Sequence, residues 1–237
     1  MRDFGGLNLT NKHVRTALLF KRLAFKTQWI EYPDIEPELK RLGAEPTGKW
    51  TDGGIKYTLP VIYDDSTGKF VSDSMTIAEY LEDTYPNTPS LFPFGARAPI
   101  HMFVTMFSGS GSMAFRMVTI QATFHILNPS SAEYFRRTRE ELFGKTLEEL
   151  APEAEKGALF NAGKEDLSKI AAILSTNGHG LPYFYGTTIS YADLVILSYL
   201  LYAKAVLGQG FKAIEEWDDG RWGRLLDATT EYQVLEV

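Results

Sequence analysis

The chain has 237 residues, 44% of them apolar, enough to build one large core or two small ones. Its 24 Lys and Arg against 30 Asp and Glu leave a net charge of −6, with no electrostatic footprint for nucleic acid. It holds no cysteine, which excludes disulfides, thiolate metal sites and a cysteine nucleophile. No charged leader followed by an apolar segment opens the sequence. The longest apolar run, around 194–207, is interrupted by Ser198, Tyr199, Tyr202 and Lys204. Neither secretion nor a membrane span is expected, and a cytoplasmic protein is the default.

In chain order, Met1-Arg2-Asp3-Phe4 is all that precedes Gly5-Gly6, so any opening strand is a stub of three or four residues or is missing. A helix is expected over Lys12–Leu23, with Val14, Ala17 and Leu18 facing a core. Phe25–Tyr32 alternates as a strand and is stopped by Pro33. Asp34 reads as the cap of a short helix through Leu42, closed by Gly43. Glu45–Gly54 is a loop and Tyr57–Tyr63 a strand. A turn over Asp64–Lys69 leads to a short partner strand at Phe70-Val71, then to a helix from Asp73-Ser74 to about Thr84.

Pro86, Pro89, Pro93 and Pro99 form a linker, which divides the chain into 1–93 and 94–237. Beyond it the pattern is almost wholly helical: His101–Phe107, Met113–Leu127, Ser131–Phe143, Thr146–Gly157, Ala158–Leu174, a helix opened by Ser190, and Phe211–Trp217. Ser108-Gly109-Ser110-Gly111-Ser112 lacks the Lys-Ser/Thr of a phosphate cradle and reads as a helix break. Ser190 and Asp193 form a capping box, and Ile189 and Leu194 occupy the positions of a hydrophobic staple. The four histidines, at 13, 101, 125 and 179, show no metal spacing, and each reads as a solvated or hydrogen-bonded side chain.

Two strings carry chemistry. Leu59-Pro60 stands between β-type residues, where proline is poorly explained as ladder strand and well explained as a turn, with a cis bond tolerated. Asp73-Ser74 opens an amphipathic helix whose N-terminal amides and positive dipole end suit a carboxylate, while Asp73 suits an ammonium. By itself, Ser74 is most simply that helix's N-cap.

Together these strings resemble the glutathione site of the soluble glutathione transferases, and the Gly186 to Leu194 box resembles the start of the central C-terminal helix in that family. The resemblance implies a thioredoxin-like N-terminal domain, its first strand truncated or missing, followed by an all-helical C-terminal domain. A missing central strand would leave ladder groups unpaired, which favours a chain that begins inside a longer frame. It further implies that Leu59 and Pro60 meet the cysteinyl part of glutathione and that Asp73 and Ser74 hold its γ-glutamyl end, with no metal. A homodimer follows from the same resemblance.

The segments from Trp29 to Pro37 and from Ser131 to Arg139 sharpen it toward the fungal etherase-like (FuA) class, similar to bacterial enzymes that cleave β-aryl ethers. That class implies an activating serine at the start of the first helix, whose hydroxyl favours the thiolate of glutathione. Here Asn8 occupies its place and Thr10 is the nearest hydroxyl, although Thr10 and Asn11 would also serve as helix caps. Met102, Phe103, Met106 and Phe107 are expected to contribute to a cleft for aromatic molecules, or simply to pack in the core. The function implied is a transferase acting on hydrophobic aromatic electrophiles, through β-aryl ether cleavage or detoxification of wood-derived phenolics. The alternative is a weakly catalytic or non-catalytic ligandin-type binding protein on the same scaffold.

Overall fold

The structure, a computed structural model, describes residues 1–5, 9–50, 53–110 and 113–233, with the backbone alone for 9–11, 109–110 and 113–114. Its first element is the strand that the sequence left in doubt. β1 (Arg2–Gly5) is four residues long, yet it holds the centre of a four-stranded sheet. It runs parallel to β2 (Lys26–Trp29) and antiparallel to β5 (Val61–Asp64), which pairs in turn with β6 (Lys69–Ser72). Phe4 lies opposite Val61 and Asp3 opposite Ile62. The unpaired ladder groups that a missing central strand would have left therefore do not arise: the stub is present and pairs on both sides, and four residues suffice because β5 is equally short. Gly5 ends the strand where a Cβ would come within 2.9 Å of Thr27 Cγ2, so only glycine fits beside that neighbour.

Strand alternation splits the sheet into two faces. On one face Phe4 and Val61 pack with Ile30, Leu59 and Leu39 of α2 (Ile35–Leu42). On the other, Ile62 joins α1 (Leu9–Phe20) and α3 (Ser74–Thr84). The helix α2 ends at Gly43, whose φ of 75° is the left-handed turn that glycine supplies at little cost. Asp34 makes no side-chain cap, because a 3₁₀ turn over Tyr32–Asp34 already leads into the helix. The strand expected over 57–63 is broken at Pro60, which has no N–H for a ladder. Ile55–Lys56 (β4), just past the expected loop, instead pairs with Gly48–Lys49 (β3) within it, in a separate two-stranded ribbon.

Asp64 ties the β5–β6 turn to α3. Its carboxylate accepts from Ser66 N at 3.0 Å, Tyr80 Oη at 2.7 Å and Tyr85 Oη at 2.6 Å. Burial pushes this acid upward, and the bonds from Tyr85, Tyr80 and Ser66 outweigh it and hold it at about 2.

Among the described residues, α4 (Arg97–Ser110), α5 (Met113–Phe124), α6 (Pro129–Phe143), α7 (Leu147–Leu150), α8 (Lys156–Ser175), α9 (Tyr191–Leu207) and α10 (Lys212–Ala228) follow. α4 runs on through Ser108 to Ser110, and the rest of the break expected in the Ser-Gly run, at 111–112, lies outside the described residues. α9 is apolar on every side because it is enclosed on every side: Leu194, Val195, Ile196, Leu197 and Leu200 are all fully buried. Its start is the expected capping box. Asp193 accepts from Ser190 N and Ser190 Oγ, each at 2.8 Å, and from Phe184 N at 2.6 Å. The last helix extends beyond the expected Trp217. Residues Trp217–Gly220 leave helical geometry, and a second stretch then runs to Ala228. Trp222 is fully buried and donates its Nε1 to Asp218 at 2.8 Å, which anchors the continuation.

The tryptophans divide by region. Trp29 and Trp50 are about half exposed, at 51% and 49%, whereas Trp217 and Trp222 are buried in the helical core.

Candidate functional site

The two strings singled out in the sequence meet in space. Pro60 immediately precedes β5, and Ser72, the last residue of β6, pairs with Val61. That register carries Asp73 back to Pro60, and the Asp73 amide donates to the Pro60 carbonyl at 3.3 Å. The Leu59-Pro60 bond is cis, as expected. A strand pair thus delivers the start of α3 to the proline turn.

Asp73, not Ser74, is the N-cap, which corrects the sequence expectation. Its Oδ1 accepts from Met75 N at 3.1 Å, Thr76 N at 3.0 Å and Thr76 Oγ1 at 3.2 Å. Asp73 has φ 75° and ψ 131°, a conformation uncommon for a side-chain-bearing residue. The cap satisfies two orphan donors of the helix and leaves Oδ2 without a partner among the described residues. Ser74 becomes the first helical residue. Its hydroxyl has no partner among the described residues, while its carbonyl accepts from Tyr191 Oη at 2.9 Å. The exposed end of α3 therefore offers a carboxylate oxygen, a hydroxyl and the positive dipole end together.

Beneath it lies a residue that the sequence reading misjudged. His13 of α1 is 4% exposed, and neither ring nitrogen has a hydrogen-bond partner among the described residues. It is neither solvated nor hydrogen-bonded. Burial lowers its pKa to about 4, against the opposing pull of Asp73. The ring is therefore neutral at pH 7, a filler between α1 and the α3 start. The available signal was spacing: His13 stands four residues before Ala17, on the apolar face of α1. Tyr191 was missed for a different reason, since a contact spanning 117 residues leaves no local trace. Of the other histidines, His101 Nε2 lies 3.1 Å from Glu79 Oε1. No group of three His, Asp or Glu among the described residues is placed to hold a metal.

Asn8 lies outside the described residues, and so does the side chain of Thr10. The backbone does correct one expectation there. α1 begins at Leu9, so Thr10 and Asn11 sit within its first turn and not at its cap. The four α4 residues divide between two faces. Phe103 stacks on Phe107 with centroids 5.6 Å apart, and both join an aromatic core with Phe184 and Tyr199. Met102 and Met106, one turn apart, are exposed by 64% and 55%.

Comparison with known proteins agrees with this geometry. Residues 12–84 match the N-terminal domain of glutathione S-transferases and residues 98–232 the C-terminal domain. The chain belongs to the glutathione S-transferase family. A glutathione S-transferase of Ceriporiopsis subvermispora, solved in complex with glutathione, is 39% identical, with a TM-score of 0.92 over 99% of this chain and 98% of that one. Glutathione transferase GSTFuA3 of Phanerochaete chrysosporium is 34% identical, with a TM-score of 0.93 over 100% and 98% of the two chains. The glutathione S-transferase-like protein ustS of Aspergillus flavus is 29% identical, over 92% of this chain and 82% of its own length. The fold is accordingly the thioredoxin-like sheet followed by a helical domain, and its structural neighbours include the fungal FuA class.

Proposed function

We propose that the protein is a glutathione transferase acting on hydrophobic aromatic electrophiles, as a cytoplasmic homodimer, with β-aryl ethers or wood-derived phenolics as the substrate class. The carrying observation is the Asp73 amide bonded to the Pro60 carbonyl, which sets the proline turn and the α3 start side by side. In this reading the backbone at Leu59-Pro60 pairs with the cysteinyl part of glutathione. The Ser74 hydroxyl and the Ser74 amide at the α3 start, neither bonded among the described residues, take the γ-glutamyl carboxylate, and Asp73 Oδ2 takes its ammonium. Met102 and Met106 offer apolar surface to the aromatic partner, with Phe103 and Phe107 behind them. The relative from Ceriporiopsis that was solved with glutathione supports the first part.

The test uses Ser74→Ala. Because Asp73 is the cap, this change removes a ligand contact and spares the helix start. Glutathione affinity by calorimetry should fall about tenfold, with the melting temperature nearly unchanged. Unaltered affinity would remove the assignment. A second reading, a ligandin-type binder with weak or no turnover, is favoured by Asn8 at the position matched to the activating serine, with Thr10 as the nearest hydroxyl. Losing a preorganised donor to a developing thiolate costs on the order of a hundredfold in rate. Initial rates with glutathione and a panel of aromatic electrophiles separate the two readings.

A further inference from the structure

The start of α3 presents the Ser74 hydroxyl and amide from a backbone that would not hold them there unaided. Asp73 caps the helix from φ 75° and ψ 131°, a strained conformation that persists only where the surroundings over-determine it. Three neighbours surround this turn. From the sheet, the Pro60 carbonyl accepts from the Asp73 amide at 3.3 Å, at the long end of such bonds. From α1, His13 packs near Asp73 but gives neither ring nitrogen to a partner among the described residues. From the helical half, Tyr191 Oη donates to the Ser74 carbonyl at 2.9 Å.

The third neighbour is the firm one. Tyr191 is the first residue of α9 and is fully buried. Its amide donates to the Leu91 carbonyl at 2.8 Å, the Ser190–Asp193 capping box brackets it, and its ring lies 6.0 Å from that of Phe92. Burial pushes its phenol well above the ordinary tyrosine range, so it remains protonated and remains a donor.

Within α3, the Ser74 carbonyl is already the acceptor of an i to i+4 helical bond. The phenol therefore adds a second bond to that oxygen, one that formation of the helix does not require. Among the described residues it is also the one hydrogen bond that reaches residues 73–76 from the helical half.

We propose that Tyr191 is a positioning residue for glutathione. From α9 it fixes the Ser74 carbonyl, and with it the Ser74 hydroxyl and amide that face the γ-glutamyl carboxylate. This role rests on the glutathione reading of Ser74 given above. It places part of the control of glutathione affinity in the helical half, 117 residues along the chain.

The test is calorimetric titration of the full chain with glutathione in four variants, each checked first for a parent-like melting profile. Tyr191→Phe keeps the ring and removes only the donor, and it should weaken glutathione by at least about fivefold. Ser198→Ala is the structural control. Ser198 lies two turns along α9, is fully buried, and has its Oγ 3.2 Å from Thr16 Oγ1 of α1, so its loss loosens the same helix without touching α3. It should leave glutathione affinity unchanged. In the Ser74→Ala background, adding Tyr191→Phe should cost no more than about twofold, because the group it positions is already gone. Unchanged affinity in Tyr191→Phe, with loss in Ser74→Ala, overturns the positioning role and leaves the glutathione reading standing. Equal losses in Tyr191→Phe and Ser198→Ala, or full additivity in the double variant, overturn it as well. Unchanged affinity in Ser74→Ala removes the glutathione reading itself and this role with it.

Discussion

Two of the seams that join the sheet-bearing half of the chain to the helical half use opposite chemistry. At the first, α1 and α3 lie against α9 in a single apolar core that contains Val14, Leu18, Ile77, Leu194 and Leu197. Its polar contacts are few and buried: Thr16 Oγ1 lies 3.2 Å from Ser198 Oγ, and Tyr191 Oη donates to the Ser74 carbonyl. At the second, the turn after β2 meets the start of α6. Ser131 Oγ and Asn128 Nδ2 both donate to the Glu31 carboxylate, and the Tyr32 amide donates to Ser131 Oγ at 2.9 Å. The Tyr32 ring stacks on Tyr134, with Phe135 beside it. The apolar seam supplies free energy through buried area, which tolerates small shifts. The polar seam supplies little net energy but fixes position, because each bond fails outside a narrow geometry. A cleft between two domains needs both properties.

The difference can be broken first at the apolar seam. Leu194→Ala empties a fully buried site in the core shared by both halves and should cost about 3 kcal/mol. Both halves should melt together in calorimetry and circular dichroism, since one core serves both. Two separated transitions would show that the seam is not the shared element described. At the polar seam, Ser131→Ala removes a 2%-exposed hydroxyl with two partners and should cost about 1 kcal/mol. Its larger signature should be faster amide exchange at Tyr32, which loses its acceptor.

The smallest expected effect is a titration. The bonds from Ser131 first, and then from Asn128, hold the Glu31 carboxyl below the ordinary glutamate range. A depressed carboxylate contributes its stability above its unfolded value and loses it as pH falls through its folded value. The polar seam should therefore loosen on acidification from the ordinary glutamate range downward, while the apolar seam should not respond. Side-chain NMR of Glu31 should show the low midpoint in the parent and a return toward the ordinary value in Ser131→Ala. Identical midpoints in the two proteins would discard the seam's electrostatic account.

The two seams also differ in how legible they were. Alternation of Val14, Ala17 and Leu18 with polar neighbours, and the unbroken apolar run of α9, announce surfaces that must be covered, so the first seam follows from period and composition. The capping box of α9 was equally readable, because its partners lie three residues apart. The second seam drew attention only as two strings, around Trp29–Pro37 and Ser131–Arg139, each resembling the fungal class. That they touch is a long-range fact, carried by Glu31 and Ser131 across 100 residues. The candidate site divides in the same way. Leu59-Pro60 and Asp73-Ser74 were visible, whereas the exchange of capping from Ser74 to Asp73 depends on a positive φ that no propensity announces. The central strand was underrated because four residues look too few until their two partners are known to be as short.

The placement of the tryptophans gives the molecule two optical labels of different colour. Trp29 and Trp50, half in water on the sheet-bearing half, should emit toward the red. Trp217 and Trp222, enclosed among the helices, should emit toward the blue. Trp217 lies 4.9 Å from Phe160, and the Phe160 ring leads through Phe115 to Tyr199 and then Phe107. Light absorbed at Tyr199 therefore has a short route into the blue-emitting pair. Aromatic ligands that reach α4 should dim that band, while events confined to the sheet should register in the red one, so one unlabelled spectrum reads the two halves separately.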